Sequence, residues 1–323
     1  MSSHTKRLSF HDIRPAPASM RAEIIDGLSR PHKTIAPKYF YDDRGSRLFE
    51  EICDQPEYYT TRTELDLMRH HGGEMARTLG ENCLLIEYGS GSGRKTRLLI
   101  DALKPAAYVP IDIAGEQLEA SAAQFAAAYP ALEIIAVCAD YSRPFELPLN
   151  GLRTARRAIY FPGSTIGNLN PADAGTFLRN AARLAGPGGA MLVGVDLKKD
   201  ENLLNAAYND RRGATAAFNL NLLARINREL NADFDLDAFR HHAFYNAAAG
   251  RVEMHLVSLK AQRVTVDGQS FEFGKDETIH TESSCKYTVG EFQQLARAAG
   301  FDPRQVWTDA NNWFSVHYLV VPA

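Results

Sequence analysis

The chain has no long apolar run. Nothing in its 323 residues approaches the roughly 18 consecutive apolar residues of a membrane span, and its first residues, MSSHTKRLSFHDIRP, lack the apolar centre of a secretory signal. Cysteine is scarce: Cys53, Cys83, Cys138 and Cys285 are scattered, with no CxxC pair. That excludes a disulfide framework and the common zinc spacings, and predicts reduced thiols in a cytoplasmic protein without a bound metal. Neither sign of charge is in excess. Lys and Arg number 36 against 39 Asp and Glu, a net charge of −3, so no basic footprint for nucleic acid is present. There is no internal repeat, no low-complexity tract and no GxxxxGK[ST] phosphate loop. Nothing marks a membrane or an obligate protein partner.

What is present is ordinary enzyme-like composition, 45% hydrophobic and 23% charged, enough for one large or two small domains. A helical pattern over about 62–80 precedes a regular alternation. Strands are expected at 83–88, 108–113, 132–137, 158–161 and 191–195, with helices at about 94–103, 115–128 and 171–185. Asn170-Pro171-Ala172-Asp173 opens the last of these as a cap, a first-turn proline and an early acid. Such alternation implies an α/β fold with a parallel sheet covered on both faces. The rhythm breaks after Asp196. Residues 200–230 read as helix and 252–273 as β-structure, with Asp267-Gly268 a type I′ hairpin turn. A helix at 289–299 then restores the pattern, and strands at 305–308 and 314–321 are too close to be parallel. The expected division is 62–196 with 288–323 as one domain, and 1–61 with 197–287 as a second, α+β domain.

The densest chemistry lies at Leu84–Thr96, LLIEYGSGSGRKT. An apolar strand ends in an acid and runs into three alternating glycines before a helix. The dinucleotide fingerprint GxGxxG is not met, because Arg94 stands where its third glycine belongs. Asp112 ends the next strand, where a carboxylate can accept both hydroxyls of a ribose. Asp140 ends the third strand, placed to read an adenine amine. Taken singly, each acid reads equally well as a solvated strand end. As a set, with the closing antiparallel pair, these features resemble the class I S-adenosylmethionine-dependent methyltransferases, whose fold is Rossmann-like.

The end of the fourth strand carries Phe161-Pro162-Gly163-Ser164-Thr165-Ile166-Gly167-Asn168-Leu169. It lacks the (Asp/Asn/Ser)-Pro-Pro-aromatic motif of nucleic-acid amino methyltransferases. Together with PKYFYDDRGS at 37–46, PEYYTTR at 56–62 and TESSCKY at 281–287, it is similar to the L-histidine Nα-methyltransferases of ergothioneine biosynthesis. The likeness runs in order over nearly the whole chain. It implies three methyl transfers from S-adenosyl-L-methionine to L-histidine, giving hercynine, in a methyltransferase domain joined to a substrate domain.

The resemblance also implies roles. Tyr58, Asn168 and Tyr208 would hold the amino-acid backbone, with Asn168 at the amine and Tyr208 at the carboxylate. Tyr41 joins them, and Gly163 lies on the substrate loop. Glu282 and Ser284 would recognise the imidazole beside Met254. Glu87, Gly89, Gly91, Gly93, Lys95, Asp112, Asp140 and Tyr141 would surround the cofactor. The chemistry is consistent. A carboxylate accepts an imidazole N–H, and aromatic faces such as Tyr39, Tyr41, Tyr58 and Tyr59 tolerate a growing cation. No dedicated base is evident, and His70-His71 and His241-His242 read as packing or surface residues. Other readings are a methyltransferase for tryptophan or a derivative, a noncatalytic S-adenosylmethionine sensor, and a nucleic-acid methyltransferase. A polar Glu282/Ser284 pair argues against indole, and intact motifs for both substrates argue against a sensor.

Overall fold

The computed structural model describes residues 8–14, 18–91, 93–141, 145–149, 154 and 156–323. In chain order the elements are β1 (Leu8–Asp12), α1 (Ala18–Ser29), β2 (Lys33–Thr34), α2 (Asp43–Cys53), α3 (Tyr59–Leu79), β3 (Leu84–Tyr88), α4 (Arg94–Leu103), β4 (Ala107–Asp112), α5 (Gly115–Ala128), β5 (Glu133–Cys138) and β6 (Arg157–Phe161). They continue with α6 (Pro171–Ala185), β7 (Ala190–Asp196), α7 (Glu201–Ala207), α8 (Ala214–Glu229), β8 (Phe239–Asn246), β9 (Arg251–Ser258), β10 (Gln262–Val266), β11 (Gln269–Phe273), β12 (Thr278–Cys285), α9 (Val289–Ala298), β13 (Asp302–Thr308) and β14 (Phe314–Val320). Among the described residues no helix is long and apolar enough to cross a membrane. Two compact units result. The first holds Met1–Arg14, Thr60–Lys198 and Tyr287–Ala323, and the second Pro15–Tyr59 and Lys199–Lys286.

The first unit is built on a sheet in the order β1-β5-β4-β3-β6-β7-β14-β13. Only β14 runs against its neighbours. Strands β3 and β7 are buried along their whole length, as expected where helices cover both faces of a parallel sheet. Helix α4 buries Thr96, Leu99, Ile100 and Leu103 against this sheet. The chain order reverses at β3, flanked by β4 and β6. In open α/β sheets a ligand binds beyond the carboxyl ends of strands at such a point. This is the class I methyltransferase sheet.

One element corrects the sequence reading. Residues 8–12 pair in parallel with β5, Leu8↔Ile134 to Asp12↔Cys138, and extend the first unit's sheet, whereas 1–61 was expected in the second domain. LSFHD is only partly buried. An edge strand takes its identity from its partner, and its own sequence carries little pattern. Strand β13 also begins earlier than expected. Its start contains Pro303, with a register irregularity between Pro303 and Gln305, and a proline without an N–H is tolerated at a sheet edge.

The second unit has a four-stranded sheet, β2-β12-β9-β8, antiparallel except for the short β2. Helix α8 buries Phe218, Asn219, Leu222, Leu223 and Ile226. Phe218 stacks on Phe40 at 4.4 Å between centroids. Strands β10 and β11 form a separate hairpin. Its turn residues Asp267 and Gly268 have φ of 45° and 80°, the two left-handed residues a type I′ turn requires.

Candidate functional site

The glycine loop in the first unit is tied down by its own backbone. Gly89 N–H donates to Ile111 O (2.8 Å) and Gly93 N–H to Ser90 O (3.0 Å). Gly91 N–H donates to Asp112 Oδ2 at 3.2 Å, and Ala114 N–H to Asp112 Oδ1 at 3.0 Å. Gly93 has φ of 66°, and a Cβ there would lie 2.4 Å from the Phe125 ring, so the position requires glycine. At Gly91 a Cβ would meet nothing within 4 Å, so that side of the loop is open. Burial holds the Asp112 carboxyl above its ordinary range, against the backbone N–H groups that favour its charge.

Tyr141 follows Asp140 on the same edge, its hydroxyl 3.6 Å from where a Gly89 Cβ would be. Its ring sits 5.3 Å from Tyr88 and 6.0 Å from Phe161. Asp140 is largely buried. Open loop, ribose-type acid and aromatic wall together fit an adenosyl sulfonium.

Glu87 has a different task from the one expected. It is 1% exposed. Its oxygens accept hydroxyls from Thr96 (2.6 Å) and Tyr108, and burial pushes its pKa up to about 8. It clamps β3 to α4 and β4 from below the loop. Lys95 also has a protein partner: its Nζ lies 2.5 Å from Glu64 Oε2. That oxygen accepts Gly163 N–H at 2.8 Å as well. Glu64, on α3, is 0% exposed. It joins the glycine-loop helix to the loop after β6, and the sequence reading missed it. A signal existed, since Glu64 lies on the stripe of Leu67 and Met68 at i+3 and i+4, where an acid has no reason to be unless it is paired.

The loop after β6 turns through two left-handed residues, Gly163 (φ 78°) and Ser164 (φ 57°). Ser164 Oγ accepts Asp196 N–H at 2.9 Å, anchoring the turn to the end of β7. A single 3-10 turn, Thr165–Asn168, follows. Asn168 is half-buried at its end, before the Asn170 cap of α6.

In the second unit, strand β12 does the placing. Its pairing with β9 runs Ile279↔Leu256 and His280↔His255, then Glu282↔Met254 and Ser284↔Val252. One extra residue at Thr281 makes a β-bulge, which re-aims the side chains that follow. Glu282, Ser284 and Met254 therefore share a sheet face, opposite to His280 and His255. Ser284 Oγ accepts Tyr208 OH at 2.8 Å and Lys286 Nζ at 2.8 Å, and Lys286 Nζ lies 3.1 Å from Tyr208 OH. Lys286 is 3% exposed, a buried cation to which the TESSCKY motif assigned no role. Burial pushes the Glu282 carboxyl up to about 7, opposed by Lys286.

Tyr58 lies 6.3 Å from Tyr208, ring edge to face at 74°. Burial raises its hydroxyl well above the ordinary range, and Tyr208, Cys53, Glu282 and Tyr41 add to the shift. Tyr41, Tyr58, Tyr208 and Glu282 are therefore neighbours. Tyr208 is fixed from behind: His241 Nε2 lies 2.9 Å from its carbonyl, and Asn219 Nδ2 is 2.9 Å from His241 Nδ1. Two other tyrosines serve the framework. Tyr39 OH donates to Glu23 at 2.7 Å, and Tyr59 OH accepts from Lys199 at 2.7 Å.

Comparison with known proteins follows the same lines. A family described as histidine-specific, SAM-dependent methyltransferases matches residues 20–321. The chain is 41% identical to a histidine N-alpha-methyltransferase of Mycolicibacterium smegmatis, covering 94% of this chain and 96% of that one. Ergothioneine biosynthesis protein 1 of Neurospora crassa is 28% identical over 99% of this chain, which spans 37% of that larger protein. A 4-dimethylallyltryptophan N-methyltransferase of Aspergillus fumigatus is 26% identical, covering 92% of this chain and 93% of that one.

Proposed function

Since the chain belongs to the histidine-specific, S-adenosylmethionine-dependent methyltransferases, we propose that it methylates the α-amine of L-histidine three times, producing hercynine for ergothioneine biosynthesis. The observation that carries this reading is the face of β12, where a buried carboxyl, Glu282, with its pKa raised by burial, stands beside Ser284 and Met254 and among Tyr58 and Tyr208. An imidazole N–H finds its acceptor in Glu282, and its ring packs against Met254.

S-adenosylmethionine, when bound, supplies an electrophilic methyl on a positively charged sulfur. The residues of this chain hold and orient. Asp112 would accept the ribose hydroxyls, Asp140 would meet the adenine amine, and Tyr141 would line the same end of the site beside Gly89. Lys95 and Glu64 fix the helix that follows the loop. Asn168 offers its carbonyl to an amine N–H, steering the nitrogen lone pair for in-line attack.

Tyr58 keeps its proton because burial raises its pKa, so it serves as a donor to the substrate carboxylate, and Tyr208 joins it by turning its hydroxyl proton from Ser284 to the substrate. Lys286 stands behind both Tyr208 and Ser284 and offsets negative charge there. The amine attacks as the free base, and the methylammonium formed must lose its proton before the next transfer. With each methyl the nitrogen loses N–H groups and ends as a permanent cation, which tyrosine faces accommodate.

Mass spectrometry of purified protein with cofactor and each of the twenty amino acids tests the reading. Mono-, di- and trimethylhistidine are expected, with hercynine as the end product, and methylation of tryptophan in preference to histidine would refute it. Asp112→Ala is expected to weaken cofactor binding by about 10- to 100-fold, the range for hydrogen bonds to a charged acceptor. Calorimetry with S-adenosylhomocysteine reads this directly, and unchanged affinity removes Asp112 from the ribose.

A further inference from the structure

Strands β9 and β12 carry a second chemical cluster on the face that the Thr281 bulge turns away from Glu282. His255 and His280 are directly paired across the two strands, with ring centroids 5.0 Å apart. Glu253 lies two residues before His255, on the same face. One ligating atom from each of Glu253, His255 and His280 falls within 4.8 Å of the others. We propose that these three side chains form a binding site for a divalent transition cation of the zinc class, with a fourth position left to water.

The donor set suits such an ion. Two imidazoles and a carboxylate are the ligand types of three-ligand zinc sites with an open position. Zn–N bonds of about 2.0–2.1 Å put tetrahedral ligand atoms about 3.3 Å apart, and the two partly exposed imidazoles can rotate to reach that spacing.

The second coordination layer is also in place. His255 Nε2 faces Glu253 Oε2 at 3.1 Å, while its Nδ1 is buried and has no hydrogen-bond partner among the described residues. Two of the ligand atoms, His255 Nε2 and Glu253 Oε2, thus already face each other, and the layer behind them is made by other residues. Glu253 Oε1 is held separately by Arg251 (2.9 Å) and Asn246 (3.1 Å), which orients the carboxylate and leaves Oε2 for the site. Ser283 Oγ lies 3.1 Å from His280 Nε2. Burial lowers the pKa of both histidines, which keeps the imidazoles neutral and able to coordinate near pH 7. No sequence spacing announces the site, because its ligands come from two strands and meet only through their register.

Co2+ titrated into the full-length, chelator-stripped protein without histidine tests this. One equivalent is expected to give visible d–d bands of a low-coordinate nitrogen–oxygen site, without the near-ultraviolet thiolate band that cysteine ligation would produce. Zn2+ should displace it and raise the Tm of the parent protein. His255→Ala and His280→Ala should each weaken binding by about 10- to 100-fold or more and abolish the Tm gain. Glu253→Gln serves as a milder third variant should an alanine variant fold poorly. The site is refuted if folded variants bind Co2+ like the parent, if the spectrum shows thiolate ligation, or if about tenfold excess Co2+ gives no spectrum.

Discussion

Glu282→Ala is expected to raise the KM for L-histidine by about 10- to 100-fold, the range for losing a hydrogen bond to a charged group, while leaving affinity for S-adenosylhomocysteine unchanged. Glu282 is placed by the bulge on the face that carries Met254 and Ser284. Burial raises its pKa from 4.5 to about 7, so the unliganded protein holds a carboxylate that lacks full solvation. An imidazole N–H supplies what is missing, and alanine leaves that N–H without an acceptor. Steady-state kinetics in both substrates check this, and a histidine KM equal to the parent's would remove Glu282 from imidazole recognition.

The same shift has a signed consequence for stability. A carboxyl whose folded pKa is raised binds a proton more readily in the folded state. Its contribution to stability is complete below about 4.5 and is lost as pH rises through about 7. Glu282→Gln removes that loss. The unliganded variant should therefore melt higher than the parent at pH 8, by about 2–4 °C for each kcal/mol relieved, and show little difference at pH 4.5. Scanning fluorimetry at the two pH values decides it. A residue used for binding would then be one whose presence destabilises the empty protein.

Glu64→Ala is the second large effect. It should destabilise the protein by about 2–3 kcal/mol, somewhat below the ~3–5 kcal/mol found on breaking a fully buried pair, because the Lys95 side chain keeps 18% exposure. Cofactor affinity should fall about tenfold, since both α4 and the Gly163 turn lose their common anchor. Glu64→Gln separates the two contributions, because an amide oxygen can still accept Gly163 N–H but cannot neutralise Lys95. A double-mutant cycle with Lys95→Met should show strong coupling. Additive losses, or cofactor binding equal to the parent's in both Glu64 variants, would contradict the role.

Most of the first unit was legible because its central elements signal themselves locally. The apolar run of β3, the three glycines and the Asn170-Pro171 cap are properties of consecutive residues, and helices at 94–103, 115–128 and 171–185 lie where their spacing places them. Strand β1 was not legible, because five residues at an edge say nothing without β5 beside them. The site divided in the same way. Motif resemblance singled out Tyr58, Tyr208, Glu282 and Ser284, which the fold groups, with Tyr41 adjoining them. Glu64 was missed because it acts through partners far away in the chain, Lys95 and Gly163; Lys286 lies inside the TESSCKY segment, but its burial against Tyr208 shows only in the fold. Glu87 was misread because an acid beside a glycine loop looks the same in sequence whether it faces a ligand or, as here, two hydroxyls in the core.

The bulge at Thr281 makes recognition a matter of parity. Side chains on a strand alternate between two faces, so an odd or even count of residues decides which face each one serves. Inserting one residue into β9 between Met254 and His255 would pair Thr281 regularly, leave Glu282 and Ser284 in the sequence and turn both toward the histidine pair. A relative can thus keep the letters of the TESS segment and lose its substrate, or exchange one substrate for another, by insertion or deletion alone. When chains of this kind are aligned, a gap at that point carries more functional weight than most substitutions around it.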